Sequence, residues 1–199
     1  MTEWQVDVIT MASGFENSHV GMRKAIEFAA YNEVLVFAAA SNYSSVRRVA
    51  FPGRMKHDVM CMFSTDAGVK NSRTLNPAPR SKSYNFAILG EDVSLGPMEK
   101  PLNGTSFATA IGAALAARII DFSRHTDCQA LIEEAQYLKT TDGMSAIFAL
   151  LASGGHDGDY HCIAPWRLLE DVNGAHDRTQ KRAEICGAIN RALKHMDDG

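Results

Sequence analysis

Hydrophobic and polar positions alternate with two different periods along this chain. Val6-Asp7-Val8-Ile9-Thr10-Met11 is a β-branched apolar run closed by Ala12-Ser13-Gly14, which reads as a strand and a turn. Asn17 and Ser18 are suited to cap a helix whose apolar positions, Met22, Ile26 and Ala29 or Ala30, recur every three to four residues. Val34 to Ala40 is apolar throughout, the pattern of a strand buried on both faces in a parallel sheet covered by helices. After a loop holding Phe51-Pro52-Gly53, Val59 to Ser64 predicts a third strand and Tyr84 to Val93 a fourth. Strand, helix and strand in close succession imply a right-handed crossover. The expected class is α/β, a three-layer, doubly wound, mostly parallel sheet.

The remainder has a different character. Residues 1–120 carry 12 basic and 10 acidic side chains, whereas residues 121–199 carry 8 and 13. Helical windows fall at roughly 127–140, 142–153 and 178–196, the last with Ile185, Ile189 and Leu193 on one stripe. The expected division is an α/β domain over 1–122 and a helical C-terminal extension over 123–199. Trp166 with Leu168 and Leu169 reads as the apolar anchor of that extension.

Composition narrows the function classes. The chain has 199 residues, 46% hydrophobic and 22% charged, which excludes intrinsic disorder, collagen-like structure and a disulfide-rich mini-protein. A formal net charge of −3 carries no polyanion-binding signal, so nucleic acid is not an expected partner. Cys61, Cys128, Cys162 and Cys186 form no C-x-x-C pair, which argues for free thiols in a reducing, cytoplasmic setting rather than zinc ligands or disulfides. The N-terminus lacks the basic and apolar regions of a secretory signal. The longest apolar stretch, Leu102 to Ala117, is broken by Asn103-Gly104-Thr105-Ser106 and falls short of the roughly 20 residues a bilayer needs, so no membrane partner is expected.

Two segments carry candidate chemistry. Asn103-Gly104-Thr105-Ser106 opens a run, Phe107 to Ala117, that is apolar and small on every side, the pattern of a helix buried in the middle of a domain. Ser106 then lies at the helix N-terminus, where unpaired N–H groups and the positive end of the dipole favour a developing negative charge. That suits a nucleophile whose oxyanion forms beside those donors. A plain N-cap role for Ser106 or Thr105 fits the position equally well. Asn42 follows the buried strand ending in Ala38-Ala39-Ala40-Ser41, at the carboxyl end of a parallel sheet where ligands bind. Its amide is placed to donate to an oxyanion, although asparagine is also an ordinary turn residue there.

Taken in order, these segments resemble the second half of the subtilisin-like serine proteases. VDVITMASG is similar to that family's D-V-I-N-M-S-x-G strand and turn, and VLVFAAASN to its V-x-V-A-A-A-G-N strand, which ends in the oxyanion asparagine. VAFPGRMKHDVMCMFSTD is similar to the tyrosine-proline loop and following strand, and NGTSFATAIGAALAA to the G-T-S-[MF]-A-[ST]-P nucleophile motif. The resemblance covers about residues 4–122. It implies a partial subtilisin-like fold, Ser106 as nucleophile and Asn42 as oxyanion donor. Ala12, Ser13, Gly14, Ala39, Ala40 and Ser41 would then line the cleft that receives a protein or peptide substrate. No cofactor and no metal are implied.

The departures matter as much. The family's D-[ST]-G and H-G-[TS]-H elements precede these segments, and neither occurs in this sequence. Asp66-Ala67-Gly68 and Asp142-Gly143 lie in the wrong order, and no histidine matches a family position. Ser41 replaces a glycine, straining the turn if it needs a positive φ, and Ala110 replaces the helix proline. Loss of the base costs about 10⁶ in turnover, so the chain alone is expected to be almost inert. The expectations are thus a serine endopeptidase present as a partial chain, its N-terminal half supplied elsewhere, or a pseudoprotease that binds peptides without turnover. A Rossmann-like or flavodoxin-like reading lacks a Gly-rich phosphate loop. Gly154 to Asp159 lacks the spaced carboxylates of a calcium loop.

Overall fold

A computed structural model of the chain describes residues 4–97, 100–168 and 178–194. Among these residues a six-stranded sheet forms the centre. Strands β1 (Val8–Met11), β2 (Leu35–Ala39), β3 (Met60–Thr65) and β4 (Phe86–Leu89) run parallel in sequence order. Strand β6 (Tyr160–Cys162) adds to β4, again parallel, and β5 (His156–Asp157) closes that side antiparallel to β6. β1 is the opposite edge.

Alternation along the buried strands sorts side chains between two layers of helices. Leu35 and Phe37 of β2 join Met60 and Met62 of β3 beneath α2 (Thr105–Ser123), α4 (Thr141–Leu151) and α5 (Arg178–Lys194). Val36 and Ala38 face the other way, onto Ile26 and Ala29 of α1 (Val20–Tyr31). Cys61 and Phe63 form a further cluster with Tyr160 and Cys162. This is the expected three-layer α/β arrangement with a mostly parallel sheet.

Several expectations are corrected. α1 is capped not by Asn17 or Ser18 but by His19, whose Nδ1 accepts the Met22 N–H at 3.4 Å. The fourth strand ends at Leu89: the Gly90 N–H still bonds the Thr65 carbonyl, but the Gly90 carbonyl turns to accept from Gly104. The window 127–140 is a single turn, α3 (Thr126–Gln129), and a 3₁₀ segment, Ala135–Lys139. Between them Asn190 of α5 bonds the Leu131 carbonyl and the Glu133 N–H, replacing the helical bonds a continuous helix would make. The region after residue 122 is not purely helical, since it supplies β5 and β6 to the same sheet. Trp166 is 48% exposed and is no anchor; Leu169 and the Leu168 side chain lie outside the described residues.

α2 also departs from the reading of its sequence. It is long and apolar enough to cross a membrane, yet one stripe, including Ala108, Gly112, Ala116 and Ile120, packs onto the sheet. The helix is not buried all round: Ala110, Ala114 and Ala117 face outward. Alanine exposes so little apolar area that an open face costs little. Gly112 permits the close approach, because a Cβ there would lie 2.8 Å from Met62 Cε. At its C-terminal end Arg124 donates two bonds of 2.6 Å to Asp7, which also pairs with Lys139 at 3.0 Å. Both cations hold the Asp7 carboxyl below the usual carboxylate range, Arg124 foremost, against the opposing effect of burial.

Candidate active site

The chain crosses from β4 to α2 through a short antiparallel pairing of Val93 with Leu102 that returns residue 104 to the sheet. Gly104 N–H donates to the Gly90 carbonyl at 2.8 Å, and Asp92 N–H to Asn103 Oδ1 at 2.5 Å. Both glycines are forced by space. A Cβ on Gly90 would lie 2.6 Å from Ser64 Oγ and 2.8 Å from the Gly104 carbonyl. Gly104 has φ +159° and ψ +152°, a conformation essentially reserved for glycine. Ser106, half-buried, is thereby held in the first turn of α2.

Asn42 reaches this turn from the far side of the cleft. Its Oδ1 accepts the Thr105 N–H at 2.8 Å and the Thr105 hydroxyl at 2.9 Å. The hydroxyl oxygen of Thr109 donates in turn to the Thr105 carbonyl at 2.6 Å. With Oδ1 engaged twice, the amide nitrogen is the free end of the Asn42 side chain. A Cβ built on Gly104 would lie 3.1 Å from Asn42 Nδ2 and 3.3 Å from Ser106 Oγ, so both groups face one small space. Of the first-turn amides, which a helix leaves without i−4 partners, Thr105 donates to Asn42 and Phe107 to the Gly104 carbonyl, which leaves the Ser106 N–H. A hydroxyl, a carboxamide N–H and a helix N-terminus therefore converge, the set that stabilises a tetrahedral oxyanion.

Next to this point a cleft of about 650 Å³ opens between the ends of β1 and β2 and the loop 47–54. Of the residues expected there, Ala12, Gly14, Ala39, Ser41, Asn42 and Ser106 line it. Two do not. Ala40 is wholly buried, its N–H bonded to Met62 and its carbonyl to Ala50, so it forms the floor beneath the cleft. Ser13 falls between two lining residues and is not itself one. Gly14 is held at the wall, where a Cβ would lie 2.6 Å from Ala50 Cβ. Ser41 has φ +138°, the strained positive value anticipated for a residue standing in a glycine position, and its buried Oγ makes no hydrogen bond.

Sequence reasoning took Thr105 only as a possible N-cap and missed its hold on Asn42, Gly90 and the polar brace behind the site. Asn76 is buried and clamps Ser64 at its N–H and its carbonyl, while Ser72 Oγ bonds Ser64 Oγ at 2.9 Å. The signal for Gly90 was a lone glycine closing a strand pattern. Among the described residues that line the cleft, none is histidine, and Glu16 is the acidic one. Asp66 accepts the Lys70 N–H at 2.8 Å in a turn, and Asp157 accepts the Asn71 N–H at 3.0 Å. His161 packs edge-on against Tyr84 and His156, and burial keeps its imidazole below the ordinary histidine value.

No protein-family model matches the chain. Over 142 residues, 63% of this chain and 37% of the relative, it is 25% identical to the subtilisin-like protease het-Q2 of Podospora anserina. Among solved structures, the prenylagaramide maturation protease PagA superposes with a TM-score of 0.62 at 20% identity, covering 87% of this chain and 64% of that one. The self-cleaved protease domain of PatA gives a TM-score of 0.59 at 17% identity, covering 94% and 64%. The fold is therefore that of a subtilisin-like protease. The chain is similar to part of such a protease, spanning well under half of the curated relative's length and under two thirds of the solved chains.

Proposed function

We propose that this chain is the nucleophile-bearing part of a subtilisin-like serine endopeptidase. Ser106 Oγ attacks the scissile carbonyl, and the oxyanion is taken by Asn42 Nδ2 with the Ser106 N–H at the start of α2. The cleft bounded by Ala12, Gly14, Ala39 and Ser41 holds the extended substrate. The proton acceptor comes from a histidine outside this sequence, oriented by an aspartate, whether in a preceding segment or a second chain. What carries the reading is the convergence of Ser106 Oγ and Asn42 Nδ2 on the space beside Gly104. The oxyanion part of such a site is worth about 10²–10³ in rate for one donor, so it has value only once a base is present.

The test is labelling of the full-length product with a fluorophosphonate. Incorporation at Ser106, lost in Ser106→Ala, is the expected result; incorporation elsewhere, or none in the presence of the complete gene product, rejects it. A second reading, a pseudoprotease that binds peptides without cleaving them, is favoured by the lack of histidine among the described cleft residues. It predicts peptide affinity that Ser106→Ala leaves intact, with no hydrolysis.

A further inference from the structure

The cleft beside Ser106 continues into a second cavity of about 390 Å³, and the two share Glu16, Arg48 and Arg54 in their walls. Arg23 of α1 enters the second cavity as well, its guanidinium 5.8 Å from the centre of the Phe51 ring. Three guanidinium groups thus gather at one end of the cleft. Among the described residues that line the two cavities the carboxylate is Glu16, which is exposed and sits 3.8 Å from a different residue, Arg47. Among the described residues, no carboxylate lies within ion-pair distance of Arg23, Arg48 or Arg54.

This like-charge group is held in place rather than splayed. Phe15 and Phe51 exchange backbone hydrogen bonds of 2.7 and 2.8 Å, which fixes the loop carrying Arg48 and Arg54 against the wall carrying Gly14 and Glu16. Arg54 Nη2 donates to the Glu16 carbonyl at 2.9 Å, which orients the fork and leaves most of its N–H groups available. Burial, and then repulsion from Arg48 and Arg23, keeps the Arg54 guanidinium below its ordinary value. Cations arranged so that they repel one another are relieved by an anion, and arginine receives a carboxylate through two parallel N–H bonds.

We infer that this arginine group receives an acidic side chain of the bound peptide, an aspartate or glutamate close to the bond facing Ser106. The inference rests on reading the cleft as the peptide site, since a chain lying along Gly14 and Ser41 passes the shared wall. It gives the site a substrate class, acidic peptides, that apolar residues such as Ala12 and Ala39 do not specify.

The experiment is fluorescence anisotropy on the full-length protein with short labelled peptides that carry Asp, Glu, Ala or Lys at one position, the position being moved along the peptide. At one position the Asp and Glu peptides bind about tenfold more tightly than the Ala peptide, as charge-assisted bonds to a partly desolvated guanidinium allow. The gap narrows as salt is raised. Arg48→Glu combined with Arg54→Glu inverts the order in favour of Lys; Arg54→Lys keeps part of the acidic preference, since the charge stays and the two-bond fork is lost, and near-UV circular dichroism checks that each variant is folded. Binding indifferent to charge at every position, or an acidic preference that survives the double reversal, overturns the inference while leaving the Ser106 reading intact. Inorganic phosphate that occupies the arginines without competing with any peptide also overturns it, in favour of a small-anion site. Failure to bind any peptide removes both readings. Charge-selective binding without fluorophosphonate labelling removes the peptidase alone and leaves a module that reads acidic peptides.

Discussion

The Asn42 carboxamide is gripped by the residue that precedes Ser106. Its Oδ1 accepts from both the N–H and the hydroxyl of Thr105, at 2.8 and 2.9 Å, so β2 and α2 are joined through one side-chain oxygen. That double bond of acceptance decides which end of the amide faces the cleft. Swapping the oxygen and nitrogen would set an N–H against two donors and leave the oxyanion space facing an acceptor. Under the proposed reading, Asn42→Ala lowers the rate of fluorophosphonate incorporation by about 10²–10³. Thr105→Val, nearly isosteric, removes one of the two anchoring donors and gives a smaller loss. Equal rates for the two variants and the parent chain would show that the amide has no part in stabilising the adduct.

Gly104 is the position at which the serine turn tolerates no side chain. A methyl there would crowd Asn42 Nδ2 and Ser106 Oγ and would have to adopt a φ of +159°. Gly104→Ala is expected to cost about 1–3 kcal/mol of stability and to abolish labelling of Ser106 even where the protein remains folded. Thermal melts followed by circular dichroism, paired with labelling on the same samples, separate the two effects.

Asp7 makes stability depend on acid. Its folded-state pKa lies below the unfolded value of 3.8, chiefly through the Arg124 hydrogen bonds. A depressed carboxylate contributes stability that is fully present well above 3.8 and is lost as the pH falls through the lower folded value. Arg124 is half exposed, so screening limits the contribution to about 0.5–1 kcal/mol. Asp7→Asn should therefore lower the melting temperature at neutral pH, and the difference from the parent chain should vanish in strong acid. A difference that persists unchanged at the lowest pH would point to packing rather than charge.

The four cysteines are all free and buried. Burial pushes the Cys61 and Cys162 thiols up to about 11, far from the range of a reactive thiolate. In the native protein at neutral pH none should react with a disulfide reagent on the timescale of minutes, whereas denaturant should release all four together. Rapid native modification of one thiol would show that its element opens locally.

Much of the fold was legible because long buried strands leave no ambiguity. Val34 to Ala40 had to be covered on both faces, and that fixed the layers on either side of β2. The G-T-S-F-A-T segment placed Ser106 at a helix start, while strain at Ser41 was conditional on a positive φ, which the turn has at +138°. The rest depended on distant partners. β5 and β6 are two and three residues long, too short to show a period, and exist because β4 offers an unpaired side to Tyr160–Cys162. The break in 127–140 comes from Asn190, about sixty positions away in the sequence. Thr105 read only as a possible N-cap because its importance lies in what it does to Asn42, a contact no local pattern encodes. The arginines of the cleft form no local pattern, since only the fold brings Arg23 beside Arg48 and Arg54.

The bond from the Gly104 N–H to the Gly90 carbonyl ties the serine loop to β4, in the interior of the sheet, and not to the rim strand β1. The Ser106 and Asn42 groups are thus held together by bonds among the ends of β2 and β4 and the start of α2, with none from β1. Under the proposed reading, a histidine arriving from outside with its orienting aspartate meets oxyanion donors that are already in place.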